Sequence, residues 1–232
     1  MSNSTRVTGL AAALLCVAIA TPAVGGSVDT PIQSGGNFSV PIVSMKDMRY
    51  RHTIRQMQDF SCGSAAVATL LTHHYGYPVR EQEALEEMFG RGNQEKIKRD
   101  GFSLLDMKSF LEARGFAADG FEAKLEALVE AKIPAIVLIN ERGYGHFVVV
   151  KGLRNGRVLL GDPSTGVRAM HRADFDKIWR NRILFVIRNR TDRARFDLDA
   201  DWALAPGAPT DMAMQSRGLD AITMPKRGSG DF

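Results

Sequence analysis

Cys62 lies in the run Gln56-Met57-Gln58-Asp59-Phe60-Ser61-Cys62-Gly63-Ser64-Ala65-Ala66, where a turn-like stretch hands over to small residues that start a helix. A thiol at a helix N-terminus sits beside unpaired amide N–H groups, whose partial positive charge favours a thiolate. Gly63 and Ser64 leave room for a reactant beside the sulfur. A cysteine that only filled a core would sit more naturally in mid-helix among Leu and Val. The chemistry this predicts is nucleophilic attack on a carbonyl.

A thiol nucleophile needs a base, and the chain carries five histidines. His52 stands in a polar stretch and His171 in a loop, so both read as solvated. His73 and His74 are adjacent and point about 100° apart on a helix, unlike the i, i+4 pair that clamps a metal. No metal or other cofactor is expected. His146 follows Gly143-Tyr144-Gly145 and opens the apolar run HFVVVKGL, which suits a fixed general base at the mouth of a buried strand. A hydrogen-bonded core histidine would look the same. Asp162 ends the next run, VLLGD, where a carboxylate would hold the imidazole in one tautomer. The same Asp162-Pro163-Ser164 also reads as an ordinary turn starter. For a tetrahedral oxyanion the donors would be the Cys62 amide and the side chain of Gln56 or Gln58, between which spacing does not choose.

Register sets a condition on Asp162. A two-residue turn at Asn155-Gly156 pairs Arg154 with Arg157. His146 then opposes Thr165, and Asp162 faces the other side of the sheet. A three-residue loop pairs Leu153 with Arg157, His146 opposes Ser164, and Asp162 becomes a same-face diagonal neighbour roughly 7–8 Å away between backbones. A Cys–His–Asp arrangement therefore requires the second register or an equivalent bulge.

The elements that position these residues form an α+β pattern. Helices are predicted over 61–75, 81–89, 104–114 and 124–131, the third behind a Ser103-x-x-Asp106 capping box. Apolar, β-branched runs at 134–139, 146–153, 157–161 and 183–187 read as strands of a buried antiparallel sheet, with further short strands over 38–45 and 50–55.

The ends differ from the body. Residues 1–26 have a short basic start, the apolar run VTGLAAALLCVAIA and small residues after it, as a secretory signal does. That run is short for a membrane span, which takes about 20 apolar residues. The expected place is the periplasm, with a membrane anchor only if the signal is retained. Removing the signal would remove Cys16 and leave Cys62 the single thiol in an oxidising compartment, a mark of intermolecular pairing or function. Residues 27–47 read as an extended lead-in, 48–190 as one domain and 191–232 as a loosely ordered tail. No repeat or G-x-x-x-x-G-K-[ST] motif occurs, which argues against a solenoid or a P-loop motor. The formal charge is +4, and the arginines at 180–195 straddle the apolar strand ILFVI as a solvated rim, so nucleic acid is not an expected partner.

Four motifs in order, Gln-x-Gln-Asp-x-Ser-Cys-Gly-x-Ala, Gly-Phe-Ser-Leu-Leu-Asp, Gly-His-Phe-Val-Val-Val and Gly-Asp-Pro-Ser, resemble the bacteriocin-processing cysteine peptidases. The resemblance runs from about Met48 to Arg190. It implies a papain-like fold, a helical lobe carrying the nucleophile against a carboxy-terminal antiparallel sheet. It implies Cys62 as nucleophile, His146 as general base, Asp162 as orienting acid and Gln56 as oxyanion donor. Such enzymes usually precede peptide-exporting transporters and cut leaders after a double glycine. This chain lacks the transporter parts and has Gln58 and Ser61 where the family often has aspartate. It is similar to a free-standing exported branch, some members of which accompany fibre secretion. The implied partners are a polypeptide substrate, secreted or fibre-forming, and export machinery. A silent peptide-binding chaperone module and a cell-wall amide hydrolase are the other functions these residues allow.

Overall fold

The computed structural model describes residues 27–31, 37–41, 44–141 and 143–205. The signal sequence and the tail beyond 205 lie outside the described residues. The chain divides at Ser44 into two units. In the first, β1 (Ser27–Pro31) and β2 (Asn37–Pro41) form an antiparallel pair with Ser27 opposite Pro41.

The second unit begins with α1 (Met45–Arg49), and residues 50–55 are turns and coil instead of the expected strand. α2 (Cys62–Thr69) is composed of small residues, and all eight are buried. It does not extend to Tyr75 as one α-helix, because Leu70–His74 opens into a wider π-helical turn. α3 (Glu81–Arg91) and α4 (Gln94–Asp100) follow. α5 (Leu104–Glu112) starts at the predicted capping box, with Ser103 N–H donating to Asp106 at 2.8 Å and Asp106 N–H to Ser103 Oγ at 3.2 Å. Then come β3 (Ala118–Glu122), α6 (Glu126–Ala131), β4 (Ala135–Glu141), β5 (Tyr144–Arg154), β6 (Arg157–Asp162), β7 (Gly166–His171), α7 (Arg172–Ile178), β8 (Ile183–Ile187) and α8 (Asp199–Trp202).

The last six strands make one antiparallel sheet in the order β3-β8-β4-β5-β6-β7. Its two faces read alternately along β5. Phe147 and Val149 pack into a core with α2, α3 and α5, whereas Val148 and Val150 pack into a second core with Leu128 of α6 and Phe175 of α7. The fold is therefore α+β with helices on both faces of the sheet.

The β5–β6 hairpin settles the register. Asn155 and Gly156 both have positive φ, and Arg154 pairs with Arg157, as a two-residue turn requires. The ladder then breaks: Gly152 opposes Leu159 but Val150 opposes Leu160, so Lys151 is the extra residue of a β-bulge. Beyond it Val149 faces Gly161, which is the register that the three-residue loop would have produced.

Residues 191–205 are not a loose tail. Arg195 N–H donates to His74 O at 2.8 Å, Asp197 N–H to Lys151 O at 2.7 Å, and Trp202 Nε1 to Asp197 Oδ1 at 2.8 Å. The segment's polar composition hides this, because its attachment is mainly by hydrogen bonds and one buried charge, Asp201, with only Ala194 and Phe196 packed against the apolar core.

Candidate active site

A tight turn delivers Cys62. Ser61 N–H donates to Gln58 O at 3.1 Å, while Ser61 Oγ bonds both the N–H and the carbonyl of Gln58 at 3.0 Å. The helix then starts at once with Cys62. Gly63 is required there, since a Cβ would lie 2.9 Å from Phe102 Cβ. Cys62 is 5% exposed, at the floor of a cleft of about 480 Å3 lined by Asp59, Phe60, Phe102, Leu138, Tyr144 and Phe147 among others.

His146 comes from the start of β5, where Gly145 precedes it, and is 6% exposed. Its Nε2 lies 2.7 Å from Asp162 Oδ1. Cys62 is the other side chain that acts on this ring, and it and Asp162 both favour the protonated imidazole. Asp162, at the end of β6, is itself held: Oδ1 accepts from Ser164 N–H at 2.8 Å, Ser164 Oγ at 2.7 Å and Thr165 N–H at 3.3 Å, and Oδ2 from Arg168 Nε at 3.1 Å. Asp162 is thus both turn starter and imidazole partner. Arg168 also donates from Nη1 to Glu141 at 2.8 Å.

The charges reinforce this geometry. Burial pulls the His146 pKa down, but the hydrogen bonds to Asp162 and Cys62 and their negative charge outweigh it and raise it to about 9. Burial pushes Asp162 up, yet its bonds to His146 and Ser164 and the charges of His146 and Arg168 hold it well below the usual carboxylate range. An imidazolium between a thiol and a fixed carboxylate can stabilise a thiolate and later deliver a proton.

The structure brings Cys62, His146 and Asp162 together and places Gln56 beside them. Gln56 lines the cleft that His146 shares with Asp59, Tyr144, Ser164 and Arg168. Its Nε2 donates to Gln58 O at 2.9 Å and more weakly to Asp59 O at 3.5 Å, while its Oε1 is buried with no partner among the described residues. Gln58 is exposed. Spacing did not point to Ser164, Arg168 or Tyr144. Tyr144, whose hydroxyl donates to Asp59 O at 2.8 Å across the cleft, carried a signal in its place between two glycines beside His146.

The other histidines differ from expectation. His52 is not simply solvated, because its Nδ1 lies 2.7 Å from the buried Asp201. His171 is exposed but ends β7 instead of lying in a loop. His74 is buried with Nδ1 2.6 Å from Arg195 O, and burial lowers the pKa of His73 to about 4 and of His74 to about 3. Among the described residues no group of three or more His, Cys, Asp or Glu is placed to hold a metal, and no helix is long and apolar enough to cross a membrane.

Residues 50–191 match the model of the Peptidase C39 family. The chain is 37% identical over 162 residues to the "Probable functional amyloid protease FapD" of Pseudomonas aeruginosa, covering 70% of this chain and 72% of that protein. To the protein of the same description from Pseudomonas fluorescens it is 34% identical over 186 residues, covering 80% and 82%. It is 32% identical over 135 residues to the "Lactococcin-G-processing and transport ATP-binding protein LagD" of Lactococcus lactis, 57% of this chain but 18% of that one. Among solved structures, the peptidase domain of Streptococcus ComA superposes with a TM-score of 0.49 at 21% identity, covering 59% of this chain and 98% of that domain. By the family match and by its two FapD relatives, this chain is a cysteine-type peptidase of the Peptidase C39 family.

Proposed function

We propose that this peptidase cuts an exported polypeptide in the periplasm through a Cys62–His146–Asp162 triad. The observation that carries the reading is the buried His146 imidazole, bonded at 2.7 Å to Asp162 and close enough to Cys62 for the thiol to raise its pKa. The Cys62 thiolate attacks the peptide carbonyl, and the tetrahedral oxyanion is held by the Cys62 amide and the Gln56 side chain. Gln56 can turn one N–H toward the oxyanion by giving up its weaker, 3.5 Å bond to Asp59 O. The His146 imidazolium protonates the departing amine, which breaks the C–N bond and leaves a thioester on Cys62. His146, now neutral, takes a proton from water, which hydrolyses the thioester and frees the carboxylate. Asp162 keeps the ring in the tautomer that presents Nδ1 to the sulfur throughout.

The periplasmic placement rests on the signal-like residues 1–26. The substrate class rests on the two relatives described as functional amyloid proteases, which favours a fibre-forming secreted protein. The experiment maps the amino termini of the periplasmic and secreted proteome in cells carrying the wild type or Cys62→Ala. A discrete new terminus that vanishes in Cys62→Ala is expected. Identical termini from a folded Cys62→Ala protein would contradict the reading.

A further inference from the structure

Lys151, the bulge residue of β5, is a lysine with 0% exposure inside the otherwise apolar run FVVVKGL. Its Nζ donates to His52 O at 2.7 Å and lies 3.0 Å from Asp201 Oδ1. Asp201 is 2% exposed and takes His52 Nδ1 at 2.7 Å on the same oxygen, and among the described residues no Lys or Arg besides Lys151 pairs with it. His73 lies against His52 with ring centroids 5.7 Å apart and planes tilted by 42°. Asp201 belongs to α8, beyond the residues 50–191 that the family model matches.

The same segment grips the bulge by its backbone. Asp197 N–H donates to Lys151 O at 2.7 Å. Asp197 packs so tightly on the next residue, Gly152, that a Cβ there would lie 2.4 Å from its Oδ1 and 3.2 Å from Trp202 Nε1. Arg154, at the end of β5, donates to Asp197 Oδ2 at 2.8 Å.

An ammonium deprived of its carboxylate does not stay buried without cost. A bulge is also the point at which a ladder can move by one residue, and a one-residue slip sends every later side chain to the opposite face. Without the bulge, the Asn155-Gly156 turn directs Asp162 away from His146. We propose that residues 195–202 clamp this bulge, with Asp201 the positioning residue that holds Lys151 inward and thereby keeps Asp162 on His146. The clamp rests on the triad proposed above and adds to it a requirement from outside the family-matched residues.

The test follows the His146 ring by NMR titration in the full chain, with circular dichroism to establish folding. Asp201→Asn and Gly152→Ala are compared with wild type and with Lys151→Met/Asp201→Leu, which removes both charges and keeps apolar volume. In wild type the midpoint is expected at about 9. In both single variants it should fall toward the ordinary histidine value near 6.5, because Asp162 leaves the ring. The double variant should recover most of the shift. General loss of stability would leave the midpoint of the folded molecules unchanged. If Asp201→Asn does not fold, Gly152→Ala, which keeps every charge, carries the same expectation. Folded single variants that titrate at about 9 like the wild type would overturn the clamp alone. A wild type titrating near 6.5 would place the fault in the triad instead.

Discussion

His146 Nε2 lies 2.7 Å from Asp162 Oδ1, although the hairpin that joins their strands turns at Asn155-Gly156 in the register that separates them. One extra residue, Lys151, reconciles the two facts. The turn is chosen by local backbone preference, since Asn and Gly tolerate positive φ. The bulge then spends one residue of β5 so that the open ends of β5 and β6 meet in the other phase. The hydrogen bond on which the proposed chemistry depends is thus set by the bulge at Lys151, beyond the third pair from the turn, and not by the turn itself.

Asp162→Asn tests what the carboxylate contributes. The amide can keep the hydrogen bond but not the charge, and it favours the wrong tautomer of the ring. Cleavage should fall by about 10²–10⁴-fold, the usual range for loss of a positioned acid–base partner. The NMR midpoint of His146 should drop from about 9 at the same time.

The same pKa fixes the alkaline limb of activity. In the proposed mechanism His146 must be protonated to release the amine, and its folded pKa is raised to about 9, so cleavage should decline as pH rises through about 9. The ion pair's contribution to stability has the same sign. It is complete below the unfolded histidine value near 6.5 and is lost as pH climbs through the folded one. A pH–rate profile that falls between 6 and 7 would contradict this.

Acid stability is governed by other histidines. His73 and His74 have folded values lowered to about 4 and about 3, chiefly by burial, so the unfolded chain binds their protons first. Stability is complete above about 6.5 and should decrease steadily as pH falls from there toward 4. Urea midpoints at pH 7 and 4.5 measure the decrease, and His73→Gln should reduce it. Asp162 and Asp201, both lowered, are lost only below the ordinary carboxylate value, about 4, and do not interfere in that window.

Much of this site was legible in the chain. Cys62 at a helix start, His146 before a β-branched run and Asp162 at a strand end are all signalled by their neighbours, and the α2, α3, α5 and central-strand positions follow from apolar periodicity. The elements that escaped notice bury little. α4 buries Ile97, α7 buries Phe175, and β3 buries only Ala118 at the sheet edge, so none shows a periodic face. The bulge and its clamp were illegible for a different reason, since they join Lys151 to residues 195–202 through long-range polar contacts. Lys151 itself, a lone charge inside HFVVVKGL, was the visible clue.

Gly63→Ala probes the packing behind Cys62. The new Cβ would lie 2.9 Å from Phe102 Cβ and 3.2 Å from Met107 Cε, inside a helix whose residues are all buried. Denaturant unfolding should show a loss of about 1–3 kcal/mol, the common cost of overpacking. A variant as stable as the wild type would mean that α2 can withdraw from α5 freely.

The pairing of sulfur and imidazole is tested most directly by the rate at which iodoacetamide alkylates Cys62 at pH 6, read by mass spectrometry on the peptide that contains it. An adjacent imidazolium favours the reactive thiolate, so wild-type Cys62 should react readily and His146→Ala about tenfold or more slowly. Equal rates in the two folded proteins would contradict a Cys62–His146 pair and the mechanism built on it.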